Sequence, residues 1–283
     1  MTVSAREGIA YIELIIYSPA IILAFYTNIR HGFVRQLGWF YLVIFCAIRI
    51  ASAAMEIVSA RNLQNMTNFI WAAILSVVGL SPLLLASLGL VKRVRDIVTV
   101  EPLGLSVPQL LHLPCLVALV LSIWGGVRFS SDSDSTRDDG TIMVKAGIFI
   151  FLAVFIGLFI VTVITLPKLS KLPQGEKPIL LAVTAALPFL LVRILFSVLA
   201  DFLMNGVFSV LYGNAYVYLG MVVLEEFAIV IMYLVAGIIA PPGSEMAGRI
   251  SKSLHSRESS DPETLQNVPA SQPVDESSET KAQ

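Results

Sequence analysis

The chain is 283 residues long, 56% hydrophobic and only 14% charged, with a mean hydropathy of +0.81. Those values lie outside the range of soluble globular domains and inside that of polytopic membrane proteins, so they predict an all-α fold, a helix bundle surrounded by membrane lipid. The formal net charge of −1 offers no basic excess to neutralise phosphates, which argues against nucleic acid as a partner.

Seven apolar stretches follow in chain order. The first, Gly8 to Asn28, has full spanning length and no small-residue cleavage site behind a short apolar region, so it reads as a transmembrane helix and not as a cleaved signal peptide. The others are Leu37 to Val58, Asn68 to Val91, Ser106 to Trp124, Ile142 to Leu166, Pro178 to Ala200 and Ala215 to Ala240. Together they define a seven-transmembrane-helix domain over residues 1–240. Pro19, Pro82 and Pro188 fall inside these spans and predict kinks, because neighbouring helices can rescue the backbone groups that a proline frees. Pro108 and Pro114 crowd the start of the fourth span, which is barely long enough to cross. Trp39, Trp71 and Trp124 lie near predicted helix ends, where an aromatic belt is expected. Cys46 and Cys115 sit within apolar stretches and read as small buried hydrophobes. From Pro241-Pro242-Gly243 onward the residues turn to Ser, Glu, Asp, Gln, Pro and Lys, so 241–283 is expected to be a disordered tail with too little apolar surface to offset chain entropy.

The basic residues predict an orientation. Arg30, Arg35, Lys92, Arg93, Arg95, Lys168, Lys171, Lys177, Arg249, Lys252 and Arg257 fall on one side, against Arg6, Arg61, Arg128, Arg137 and Lys145 on the other. This imbalance puts the C-terminus in the cytoplasm and the N-terminus in the lumen, with the endoplasmic reticulum as the expected membrane. The sequon Asn65-Met66-Thr67 then lies on the lumenal side, close to the third helix.

A charge at bilayer depth costs about 2.5–3.5 kcal/mol or more, so ionisable residues inside spans are the first place to look for function. Arg49 and Glu56 interrupt the second span, Arg193 and Asp201 the sixth, and Glu225 with Glu226 the seventh. A rise of about 1.5 Å per residue places Glu13 and Glu56 in the lumenal half, Arg49, Glu225 and Glu226 near the middle, and Asp201 at the lumenal end. That convergence predicts one cavity open toward the lumen. Arg49 and Glu56, seven apart, share a helix face to within about 20°, whereas Glu225 and Glu226 diverge by about 100° and cannot both face it.

Other motifs are absent: there is no P-loop, GxSxG elbow, HExxH or CxxC pair, and none of the three histidines has a ligand set in sequence. No metal and no cofactor are therefore expected. The acidic run from Ser131 to Asp139 does not match an aspartate-rich diphosphate motif and reads as a solvated loop.

The opening Glu7-Gly8-Ile9-Ala10-Tyr11-Ile12-Glu13-Leu14 run with Pro19, the stretch from Arg49 to Glu56 and the Leu224-Glu225-Glu226 triplet resemble a fungal family of seven-helix membrane proteins. A subset of that family looks like the membrane-bound terpene cyclases of meroterpenoid pathways, the ascochlorin and macrophorin type. The resemblance implies an isomerase that takes a hydrophobic prenylated, often farnesylated, aromatic substrate from the bilayer. It would protonate a terminal alkene or an epoxide and let the polyene close through carbocations. Burial in an apolar cavity keeps such an acid protonated by penalising its charged form. Glu56 and Glu225 or Glu226 are the acid candidates, with Asp201 as partner and Arg49 and Arg193 setting the carboxyl charge states. Tyr11, Tyr17, Trp71, Phe196, Tyr216, Tyr218 and Phe227 form a pool of aromatic faces for steadying cations. The alternative is a receptor-like sensor, since seven helices with an outside N-terminus also describe that class. A transporter is disfavoured by the lack of an internal repeat.

Overall fold

Seven helical stretches are long and apolar enough to cross a membrane. The computed structural model describes residues 5–32, 37–61, 66–98, 107–130, 133–202 and 214–242. The helices are α1 (Ala5–His31), α2 (Leu37–Arg61), α3 (Met66–Val78), α4 (Leu80–Val98), α5 (Val107–Phe129), α6 (Asp134–Thr165), α7 (Lys177–Phe202), α8 (Ala215–Tyr218) and α9 (Leu224–Ile239). A 3-10 turn over Leu166–Lys171 extends α6, and a π turn over Leu219–Val223 fuses α8 to α9. No strand occurs among the described residues, so the chain is an all-α, multi-pass membrane protein. Residues 243–283 of the expected tail, and Asn65, lie outside the described residues.

Three local expectations are corrected. Pro82 does not merely kink the third span: its ring excludes the carbonyl four residues back and it has no N–H to donate, and the helix breaks at Gly79, splitting the span into α3 and α4. Pro19, Pro114 and Pro188, by contrast, stay within continuous helices. The acidic run is not all loop either, because α6 begins at Asp134. Asp134, Asp138 and Asp139 occupy its first turns, where negative charge is favoured by the helix dipole. Trp39 does not sit in a lipid belt but is 1% exposed and stacks on His31, with ring centres 5.3 Å apart. Trp71 and Trp124 do face outward.

The central α4 is buried nearly all round, whereas α1, α5 and α6 bury one stripe and turn apolar side chains such as Ile15, Ile22, Leu113, Val120 and Ile164 outward, a surface that suits lipid and not water. Cys46 and Cys115 are buried free thiols, as expected. One close crossing joins α5 to α6, where a Cβ on Gly140 would lie 2.6 Å from the Phe129 backbone nitrogen, and another joins α2 to α4, where a Cβ on Gly89 would lie 2.6 Å from the Gly38 backbone. Small residues permit this approach, the usual basis of helix pairing in lipid. At the end of the bundle where α1, α4 and α9 finish, Arg93 grips the Glu176 carboxylate through Nε at 2.9 Å and Nη2 at 2.6 Å. Arg93 Nη1 also lies 3.0 Å from His31 Nδ1. Because arginine only donates, Nδ1 accepts and His31 Nε2 carries the hydrogen that it donates to the Gly237 carbonyl at 2.8 Å. Arg30 donates to the Ile238 carbonyl at 2.7 Å, so two side chains cap the last turn of α9, and Arg93 Nη2 donates to the Pro241 carbonyl just beyond it at 3.1 Å.

Candidate functional site

The charged residues inside the spans lie on the same stripes as the buried apolar residues. On α2 the stripe runs Leu42, Phe45, Cys46, Arg49 and Ala53, and on α9 it runs Glu226, Ile229, Val230 and Tyr233. On α7 it runs Ala186, Leu190, Arg193 and Ser197, and on α1 Ala10, Glu13, Tyr17 and Ala20. Spacings of three and four residues make one helix face, so packing these faces together drives the charges into the bundle centre.

There Glu226 is fully buried between two guanidinium groups. Arg193 donates from Nε to its Oε1 at 2.6 Å, and Arg49 pairs through Nη2 with Oε2. The remaining Arg193 nitrogens are also engaged: Nη1 donates to Ser197 Oγ at 2.8 Å and Nη2 to the Ser76 carbonyl at 2.8 Å. Arg49 Nη1 donates to the Tyr218 hydroxyl at 3.1 Å, which in turn lies 3.0 Å from Ser76 Oγ. The fourth ionisable group is Glu13. It is 1% exposed, its Oε2 lies 3.9 Å from Arg49 Nη1, and neither carboxyl oxygen has a hydrogen-bond partner. Arg49 Nε and the Tyr17 hydroxyl are likewise buried without partners. Phe45 and Phe196 close the cluster, each ring centre 5.9 Å from Arg49 and Arg193 respectively.

The π turn explains how Tyr218 reaches this point. Eight residues of ideal helix would leave Tyr218 about 80° away from Glu226. The wider turn over Leu219–Val223 takes up an additional residue and restores a common face.

The structure thus brings together Arg49, Arg193 and Glu226 of the expected residues, and of the aromatic pool Tyr17, Phe196 and Tyr218. It does not bring in the others. Glu56 and Glu225 are half-buried and make no ion pair within 4.0 Å among the described residues, in keeping with the divergence of Glu225 from Glu226. Asp201 lies eight residues beyond Arg193, about 12 Å along α7, and lines a separate cavity. Trp71 and Tyr216 point outward, at 41% and 74% exposure. The residues expected to share one cavity fall into two places, a buried ionic cluster and a distinct cavity at Asp201 nearer the end of the bundle. Ser76 was missed because a serine in an apolar run carries no charge signal. Ser197 had one, its position four residues after Arg193.

A family model described as "Domain of unknown function (DUF7702)" matches residues 3–241, and the chain belongs to that family. No curated protein and no solved structure matches the chain.

Proposed function

We propose that this member of the DUF7702 family is a membrane-bound terpene cyclase that draws a farnesylated aromatic from the bilayer and closes its polyene by protonation. The observation that carries the reading is Glu13: a carboxyl buried at bilayer depth, 3.9 Å from Arg49 and free of hydrogen-bond donors. No protein group competes for its proton. The other buried carboxyl of the cluster, Glu226, is engaged by two arginines and serves as their counter-charge.

In this reading Glu13 passes its proton to an epoxide oxygen or a terminal alkene. The C–O bond opens, or the π bond takes the proton, and the carbon left electron-deficient is attacked by the next double bond. The last cation loses a proton, so the product is an isomer of the substrate and the carboxyl is restored. Arg49, with Nε unpartnered, stabilises the carboxylate left behind at the moment of transfer. Tyr17, Phe45 and Phe196 supply ring faces that contribute about 0.5–2 kcal/mol each to a nearby cation. Substrate class and reaction type come from the resemblance of the Glu7–Leu14, Arg49–Glu56 and Leu224–Glu226 segments to the meroterpenoid cyclases. Residence in the endoplasmic reticulum, N-terminus lumenal, comes from the distribution of basic residues.

Microsomes bearing the chain are fed linear farnesylated phenols and their epoxides, and products are read by mass spectrometry and NMR. A cyclised product of unchanged mass is expected. Recovery of only the linear compounds from well-folded protein refutes the reading. Protease digestion of sealed microsomes should remove a C-terminal tag, and a protected tag reverses the orientation.

A further inference from the structure

The cavity that holds Asp201 has the build of a second site, and its case does not depend on the cyclase reading. It occupies about 210 Å³ between α3, α5, α6 and α7. On α3 the wall is Ile70, Ala73, Ile74 and Val77, the spacing of a single helix face, whereas Ser76 turns to the ionic cluster on another. The two sites therefore share a helix without sharing a face. The lining is mostly apolar, yet two polar groups in it lack partners. Ser122 on α5 is 3% exposed and its Oγ, against Gly147, makes no hydrogen bond; Asp201 Oδ2, on the last turn of α7, makes none either.

An apolar chamber with a few unpaired polar atoms is the form of a site for an amphiphile's head. Size limits what enters. At about 210 Å³ the cavity is smaller than the about 300–1,000 Å³ typical of pockets that enclose a whole small-molecule ligand, so it takes a head and its first carbons while the rest of the chain leaves through the open side. The position at the end of α7 suits a head held near the membrane surface with its chain toward the bilayer. Charge limits it further. Lys145, whose ammonium lies 5.3 Å from the centre of the Phe202 ring next to Asp201, already provides positive charge there. A neutral head that donates a hydrogen bond fits this balance better than a second cation.

We infer that this cavity binds the hydroxyl head of a neutral single-chain amphiphile, with Asp201 accepting its hydrogen bond and Ser122 providing the second polar contact. The test uses the full chain in lipid nanodiscs, with tritiated 1-decanol as probe and empty nanodiscs to subtract partitioning. Binding should saturate, and unlabelled 1-methoxydecane, which keeps the oxygen and chain but has no hydroxyl hydrogen, should displace the probe at least 10-fold less well than 1-decanol. Asp201→Asn should weaken binding about 10-fold by removing a charge-assisted bond, and Ser122→Ala about 3-fold. Ala200→Phe, which fills the chamber, should abolish it. Non-saturable uptake, equal displacement by the ether, or wild-type affinity in folded Asp201→Asn overturns the inference. Stronger displacement by decylamine than by 1-decanol overturns the neutral head. The ether comparison needs no mutation and decides the matter even where Ala200→Phe fails to fold.

Discussion

Two buried arginine clusters stand at different depths of the bundle, and they differ in how completely their charges are answered. Arg93 meets Glu176 one to one through two parallel bonds, and its other contacts reach His31 and the Pro241 carbonyl. The groups left without partners in that end of α1 and α2, the Asn28 amide and the Trp39 Nε1, are neutral. The deeper cluster holds two arginines and two carboxyls, yet only Glu226 is gripped. Glu13, Arg49 Nε and the Tyr17 hydroxyl are left over. A buried polar group without hydrogen bonds is costly, and nothing in helix alignment requires one. The comparison separates a clamp, whose groups satisfy one another, from a site, whose groups remain available to something else.

The largest effect should come from Glu226→Gln, which leaves two buried guanidinium groups short of a counter-charge and costs about 3–5 kcal/mol. Most folded protein should disappear from size-exclusion profiles in detergent. If the variant is well folded, the deeper cluster is not held by Glu226. Next comes Glu13→Gln, which should keep the fold because no hydrogen bond is lost, while turnover falls about 100-fold or more, the usual scale for removing a general acid. Single-turnover assays on matched amounts of protein measure this; near wild-type cyclisation would shift the acid to Glu56, Glu225 or Asp201. Glu176→Gln probes the clamp, and the loss of a charge-assisted pair should cost about 1.5–3 kcal/mol with turnover per folded molecule unchanged. A selective loss of turnover there would erase the distinction between clamp and site. Smallest is Ser197→Ala, expected to cost about 1 kcal/mol by taking one acceptor from Arg193, read as a modest fall in denaturation midpoint.

Some of this was legible in the sequence. Arg49, Arg193 and Glu226 announce themselves because a charge within a run of apolar residues must find a partner inside the bundle, whatever the helix arrangement. Glu13 was visible as a lumenal-half carboxyl but not as the isolated one, since its isolation depends on where α2 and α9 place Arg49 and Glu226. Asp201 shared the same signal and proved to belong elsewhere, because eight residues along a helix separate two sites that hydropathy cannot tell apart. The bond from Tyr218 to Arg49 depends on a π turn, and no residue in Leu219–Val223 marks one.

By itself the sequence determined the number of spans, the all-α class and the burial of a few charges. These follow from transfer energies that act residue by residue along about 20 residues of apolar chain. The tertiary structure decided the rest: the inward Trp39, the pairing of both arginines with Glu226, the leftover Glu13 and the separate chamber at Asp201. The reason is that both faces of a membrane helix are apolar, one toward lipid and one toward its neighbours, so hydropathy gives little phase information. Rotation and register are set by close packing between helices, such as the approach of Gly140 to Phe129.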